Sequence, residues 1–171
     1  TGEFVYGIAY LCVEAARQAA INQGFNIELA MINNARAAMN QTDITYSGIM
    51  SCFPFENTVS IIKATGKDII NEAKYSKNYI ARTIPSGGYL NNDTYYTVAV
   101  IDYLAYHMNE QHEYNYFPSL QVIGTVQKDG GFYGSRDILA DYLRNLDSIN
   151  PNDYTSSTDR FKKSTLSSSI R

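Results

Sequence analysis

The sequence predicts a single α+β domain in which helices pack on a mixed β-sheet. Three observations carry that expectation. Val5, Ile8, Cys12, Ala15 and Ala19 recur at helical spacing, so residues 3 to about 23 form a long helix. Tyr95-Tyr96-Thr97-Val98-Ala99-Val100-Ile101 is dense in β-branched and aromatic side chains, which marks a strand. Ile138, Leu139, Tyr142, Leu143 and Leu146 line one face of another helix, after further strand-like segments.

The elements follow in order. Gly24 ends the first helix, because glycine tolerates the left-handed backbone found at helix C-termini. Ile27-Glu28-Leu29-Ala30-Met31-Ile32 is a short apolar run and reads as a buried strand. Asn33-Asn34-Ala35-Arg36 follows as a turn. Residues 45–52 form a short helix capped by Asp43 or Thr45, and Pro54 stops it. Residues 58–64 are a strand, and Thr65 caps a helix from Gly66 to about Tyr75. Residues 120–127 give another strand, Gly130-Gly131 a turn, and Ser135 the cap of the last helix. The domain is expected to occupy residues 1–147. Residues 148–171 are rich in Ser, Thr, Asn and Lys, and are expected to form a loosely packed or disordered tail.

With 171 residues the chain can bury a sizeable core. Lys+Arg 14 against Asp+Glu 17 leaves a net charge of −3, which argues against a nucleic-acid partner, since phosphates call for a basic face. No run of about 18 apolar residues offers a membrane span. No basic start with an apolar block suggests a signal peptide, and the chain opens on Thr1, which suits a processed chain or a fragment. Cys12 and Cys52 are expected to be buried free thiols. His107 and His112 are the only histidines; their spacing does not place two ligands on one helical face, so a solvated loop is the expectation.

The densest motif block lies in the middle. Arg36 precedes Asp43-Ile44-Thr45-Tyr46, then Cys52-Phe53-Pro54-Phe55-Glu56-Asn57-Thr58, then Thr65-Gly66-Lys67. Together these segments resemble the C-terminal domain of the 5'-nucleotidase family. There a Gly-rich turn ending in Ile-Arg is followed by Ile-Thr-Tyr, Leu-Pro-Phe-Gly-Asn and Thr-Gly. The resemblance covers about residues 3–146, and the segment Gly134-Ser135-Arg136-Asp137 into the last helix resembles the family's closing helix. It implies that this domain binds a nucleotide or nucleoside. A separate N-terminal metallophosphatase domain would hold two divalent metals and perform the hydrolysis. No cofactor is expected in this chain. The resemblance further implies an extracellular, cell-surface or periplasmic protein.

Carried over position by position, the resemblance names five site residues. Arg36 would hold the phosphate, as an arginine fork suits paired oxygens. Phe55 would stack on the base, and Tyr103, in Asp102-Tyr103-Leu104-Ala105 after the best strand, would be the second ring of an aromatic clamp. Asn109 stands where the family has its ribose-binding Asp, and a shifted alignment brings Asn33 onto the family's turn asparagine. The departures are plain. Asn33, Asn34, His107 and Met108 replace glycines, Glu56 replaces the glycine of Leu-Pro-Phe-Gly-Asn, and the stretch between Lys67 and Tyr95 is short, as if a hairpin were missing. Each residue also has a plain structural reading: Arg36 as a surface arginine closing a turn, Phe53 and Phe55 as core anchors, Tyr103 as a strand-end tyrosine. The alternative to nucleotide recognition is a degenerate structural or partner-interaction module.

Overall fold

The structure is a computed structural model describing residues 2–37, 39, 43–74, 78–83, 89–106, 116–163 and 166, with side chains from Gly7 onward. Asn109, His107 and His112 lie outside the described residues. Helix α1 (Gly2–Asn22) leads into strand β1 (Leu29–Asn33). Then come α2 (Tyr46–Cys52), β2 (Val59–Thr65), α3 (Gly66–Ala73), β3 (Asn78–Arg82), β4 (Tyr95–Ile101), α4 (Asp102–Tyr106), β5 (Gln121–Thr125) and α5 (Ser135–Arg144). The strands form one mixed sheet in the order β3-β1-β4-β2-β5. β1 runs parallel to β4, and the other neighbours are antiparallel. The expected α+β fold with a mixed sheet is therefore observed.

Successive strand side chains point to opposite faces. β1 is buried at Leu29, Ala30, Met31 and Ile32 in succession, and β4 at Val98 through Ile101, so both faces of the sheet centre are covered. That explains continuous apolar runs in place of polar–apolar alternation. Helix α1 packs on β1, β3 and α5, while α3 packs on β2 and β3. Gly24, with φ +88°, turns the chain out of α1 as its residue type demands. Thr45 caps α2 by accepting from the Gly48 N–H at 3.1 Å, which settles the choice left between Asp43 and Thr45.

One strand goes unread in the sequence, and two local expectations need correcting. First, the sequence gives no sign of β3. It pairs antiparallel with β1, Leu29 opposite Arg82 through Asn33 opposite Asn78. Asn-Tyr-Ile-Ala-Arg carries one β-branched residue, too little for a strand signal. Second, Ser135 is not the cap of α5; Gly134 holds that position without a side-chain bond. A Cβ there would meet the tips of two side chains, Glu56 Oε1 at 2.9 Å and the Phe132 ring at 3.2 Å, so a side chain at this position would have to displace both.

Third, where the polar tail is described, at residues 148–163 and 166, it is packed. Phe161 is buried against the rings of Tyr10 (4.9 Å between centroids) and Tyr154 (6.1 Å). Arg160 pairs with the buried Glu14 at 3.2 Å, and Lys163 donates to the Asn78 carbonyl at 3.3 Å. β3 is an edge strand, yet every one of its residues is buried. The tail covers the open edge that would otherwise invite pairing with another chain. A few apolar residues, Tyr154 and Phe161 among them, suffice to anchor a segment whose average composition is polar.

Glu72 yields a prediction. It is 1% exposed; Oε1 accepts from Asn78 Nδ2 at 2.7 Å, while Oε2 has no partner. Burial raises its carboxyl above the ordinary range, partly offset by the Asn78 hydrogen bond. An acid whose folded-state value is raised destabilises the fold above that value, and the penalty vanishes below the unfolded value of about 4.3. Glu72→Gln should therefore be more stable than the parent at pH 7. The gap should narrow as pH falls towards about 5. Urea midpoints at the two pH values test this, and a Gln variant that is less stable at pH 7 would contradict it.

Candidate functional site

Three separate segments converge at one end of the central strands. The turn after β1 is drawn to the end of α2 by the Arg36 N–H, which donates to the Cys52 carbonyl at 2.7 Å. Helix α2 then stops at Phe53, whose N–H closes on the Ile49 carbonyl, and Pro54 prevents its continuation. The loop of residues 53–57 leads into β2. On the far side, β4 ends at Ile101 and α4 begins at once with Asp102. The Asp102 N–H donates to the Thr58 carbonyl at 3.0 Å, and its carboxylate accepts from the Tyr103 N–H at 2.8 Å. An acidic first residue suits the positive end of a helix.

The result is a cavity of about 170 Å³ lined by Asn33, Asn34, Arg36, Cys52, Phe53, Pro54, Phe55, Asn57 and Tyr103. Four of the five expected site residues thus share one cavity: Asn33, Arg36, Phe55 and Tyr103. The fifth, Asn109, lies outside the described residues. A larger cavity of about 870 Å³ lies where the tail meets β3, lined by Tyr79, Phe161 and Lys162 among others. It holds none of these motif residues. We take the smaller one as the candidate site because chemistry, not size, distinguishes it.

Phe55 is 62% exposed and Tyr103 39%, so neither is a core anchor. Phe53 is half-buried against the core. The Arg36 guanidinium stands over the Phe55 ring, 5.6 Å from its centroid, a cation–π contact. The Tyr103 hydroxyl is 3.4 Å from that of Tyr116, with the rings tilted at 42°. Sequence reasoning misses Tyr116, Asn34 and Cys52 as neighbours of the site. The turn that Asn34 shares with Asn33 is a signal that could have found it, but Tyr116 carries none. The Asn34 Oδ1 is buried without a hydrogen-bond partner in the cavity wall. Among the described residues no group of three or more His, Cys, Asp and Glu side chains could hold a metal ion. No helix there is long and apolar enough to cross a membrane.

Cys12 and Cys52 are both buried and unpaired, as expected. Burial pushes the Cys12 thiol up to about 12 and raises that of Cys52. Thiolate is the reacting species, so native alkylation of both should be slow. Mass spectrometry after iodoacetamide treatment of the folded chain checks this. Labelling as fast as in the unfolded chain would contradict it.

The comparisons with known proteins agree with this architecture. The family model described as 5'-nucleotidase, C-terminal domain, matches residues 11–73. No curated protein sequence matches the chain. Among solved structures, a 5'-nucleotidase precursor from Thermus thermophilus superposes with a TM-score of 0.62 at 17% identity, over 84% of this chain and 33% of that one. A putative 5'-nucleotidase from Staphylococcus aureus, in complex with alpha-ketoglutarate, gives 0.56 at 15% identity, over 84% and 33%. The NAD nucleotidase of Haemophilus influenzae gives 0.55 at 13% identity, over 88% and 32%. At such identities the structures speak for the fold.

The resemblance read from the motifs is borne out: the family model matches residues 11–73, and the fold is that of the C-terminal domain in the 5'-nucleotidase structures. The chain spans about a third of the length of those structures. The matched segment contains Arg36 and Phe55 but ends before Tyr103, which joins the site through the fold.

Proposed function

We propose that this domain recognises the base and sugar of a nucleotide, presenting them to a dimetal phosphohydrolase domain outside this chain. What supports the reading is the convergence of Arg36, Phe55 and Tyr103 on one cavity from three distant parts of the sequence. Phe55 and Tyr103 offer flat faces to a base, and each base has a π-face to receive them. Arg36 provides a cation for the phosphate. Asn33 and Asn109 are the proposed hydrogen-bonding partners, Asn109 for a ribose hydroxyl. The cavity lies below the roughly 300–1,000 Å³ of sites that enclose whole ligands, so it suits the base, with sugar and phosphate extending outward. Two divalent metals belong, in this proposal, to the N-terminal domain.

The second reading, a structural or partner-binding module, draws on the same geometry. Arg36 already covers a face of Phe55, and the family's glycines are replaced around the site. Calorimetric titration of adenosine and AMP into the chain decides between them. Weak binding, at about millimolar, is expected without the metal domain's contacts. The chain alone is expected to release no phosphate from AMP with added divalent metal. Chelator-sensitive phosphate release that copurifies with the chain would contradict this.

A further inference from the structure

The loop that carries Phe55 is fastened to the start of helix α5 by one stretch of backbone pairing and by an ion pair. The Ser135 N–H donates to the Asn57 carbonyl at 2.7 Å. Thr58 and Gly134 form a lone antiparallel bridge. Arg136 Nη2 donates to Glu56 Oε2 at 2.8 Å. The first two are backbone contacts, open to many sequences. The third depends on side chains, and Glu56 stands where the family resemblance would place a glycine. The ion pair is uneven: the Arg136 side chain is 9% exposed, that of Glu56 44%. The Arg136 Nε is buried with no partner, so Glu56 provides the carboxylate for a guanidinium otherwise drawn out of water. A buried cation without its anion is costly, whereas a half-exposed carboxylate is rehydrated when its partner leaves. Holding Glu56 also holds its chain neighbours Phe55 and Asn57, both of which line the candidate cavity.

We propose that Arg136 is a positioning residue that acts through Glu56, latching residues 53–57 shut and fixing the ring of Phe55 at the candidate site. The latch replaces by an ion pair the local order that a tight glycine turn would give. For ligand binding the proposal rests on the nucleotide reading. The closure of the loop itself does not.

Cys52 provides a ligand-free readout. It adjoins the loop at Phe53 and lines the same cavity, yet is 1% exposed. Cys12, in α1, is the internal control for global opening. The experiment measures iodoacetamide alkylation of both thiols in the folded parent, Glu56→Gln, Arg136→Met and the double variant. Each single variant should speed Cys52 labelling about fivefold, the factor that accompanies ~1 kcal/mol, with Cys12 unchanged. The double variant should be no faster than the faster single one, since coupled residues are not additive. Salt should speed Cys52 labelling in the parent and not in Glu56→Gln. Unchanged Cys52 rates, equal acceleration of both thiols, or additive effects would each overturn the latch. Adenosine affinity should fall by a similar factor in the single variants. If the parent binds no nucleoside while the thiol pattern holds, the nucleotide reading fails and the latch stands.

Discussion

Phe55→Ala should weaken adenosine binding by about 5- to 150-fold while leaving the thermal midpoint almost unchanged. The first half follows from stacking, which contributes about 1–3 kcal/mol per base. The second follows from exposure: a ring 62% open to solvent contributes little to the core. Tyr103→Ala should have a similar effect on binding. It also loses the 3.4 Å hydroxyl contact to Tyr116, so a somewhat larger stability cost is expected. Arg36 sharpens the test. Its guanidinium stands over Phe55, so a base using that face must displace it. Arg36→Ala should then cost AMP more affinity than adenosine, because only AMP gains from the cation. Calorimetry with both ligands on the parent and three variants measures this. No binding by the parent at several millimolar, or variants that match the parent, would hand the site to the structural-module reading.

Much of the fold is legible in the sequence because local and global signals agree. The seven residues of β4 and the turn at Gly24 follow from residue type alone, and residue type narrows the cap of α2 to Asp43 or Thr45. β3 is hidden because its partner and cover are distant in sequence: β1 on one edge, the tail on the other. The tail misleads because burial depends on a few anchors, Phe161 above all, and not on mean polarity. At the site, Arg36, Phe55 and Tyr103 are all named by the family resemblance, while their meeting at one cavity depends on β4 ending beside β2. The strands pair Val59 with Ile101, which sets the loop of Phe55 against the start of α4. Nothing in a linear reading shows that register. The Glu56–Arg136 pair is equally invisible, since its residues lie 80 positions apart.

Gly66→Ala should be the most damaging glycine-to-alanine substitution among the described residues. Gly66 opens α3 directly after β2, with Thr65 as its cap, accepting from the Asp68 N–H. No unusual backbone angle is involved; the constraint is close approach. The Gly66 N–H donates to the Thr94 carbonyl at 2.9 Å, and the Lys67 N–H to the Asn92 carbonyl at 3.1 Å. These bonds draw the turn before β4 against the start of the helix. A Cβ on Gly66 would stand 2.1 Å from the Asn91 carbonyl oxygen and 2.9 Å from its carbon. Both are backbone atoms and cannot swing aside as a side-chain tip would. Relief means moving the turn, which breaks the two bonds and shifts Leu90, a fully buried side chain whose Cβ is 3.2 Å away. Overpacking of this kind costs about 1–3 kcal/mol, and a backbone obstacle belongs at the upper end. At about 3 kcal/mol, the midpoint of a chain this size falls by ~6–12 °C. Gly7→Ala is the matched control. It adds the same methyl inside α1 with no atom within 4 Å, so it should stabilise by up to ~1 kcal/mol through helix propensity. Thermal and urea unfolding of the two variants beside the parent decide the matter. A Gly66→Ala midpoint within about 2 °C of the parent would show that the Asn91 turn yields freely, and that the Thr-Gly motif at the start of α3 is not there for close packing.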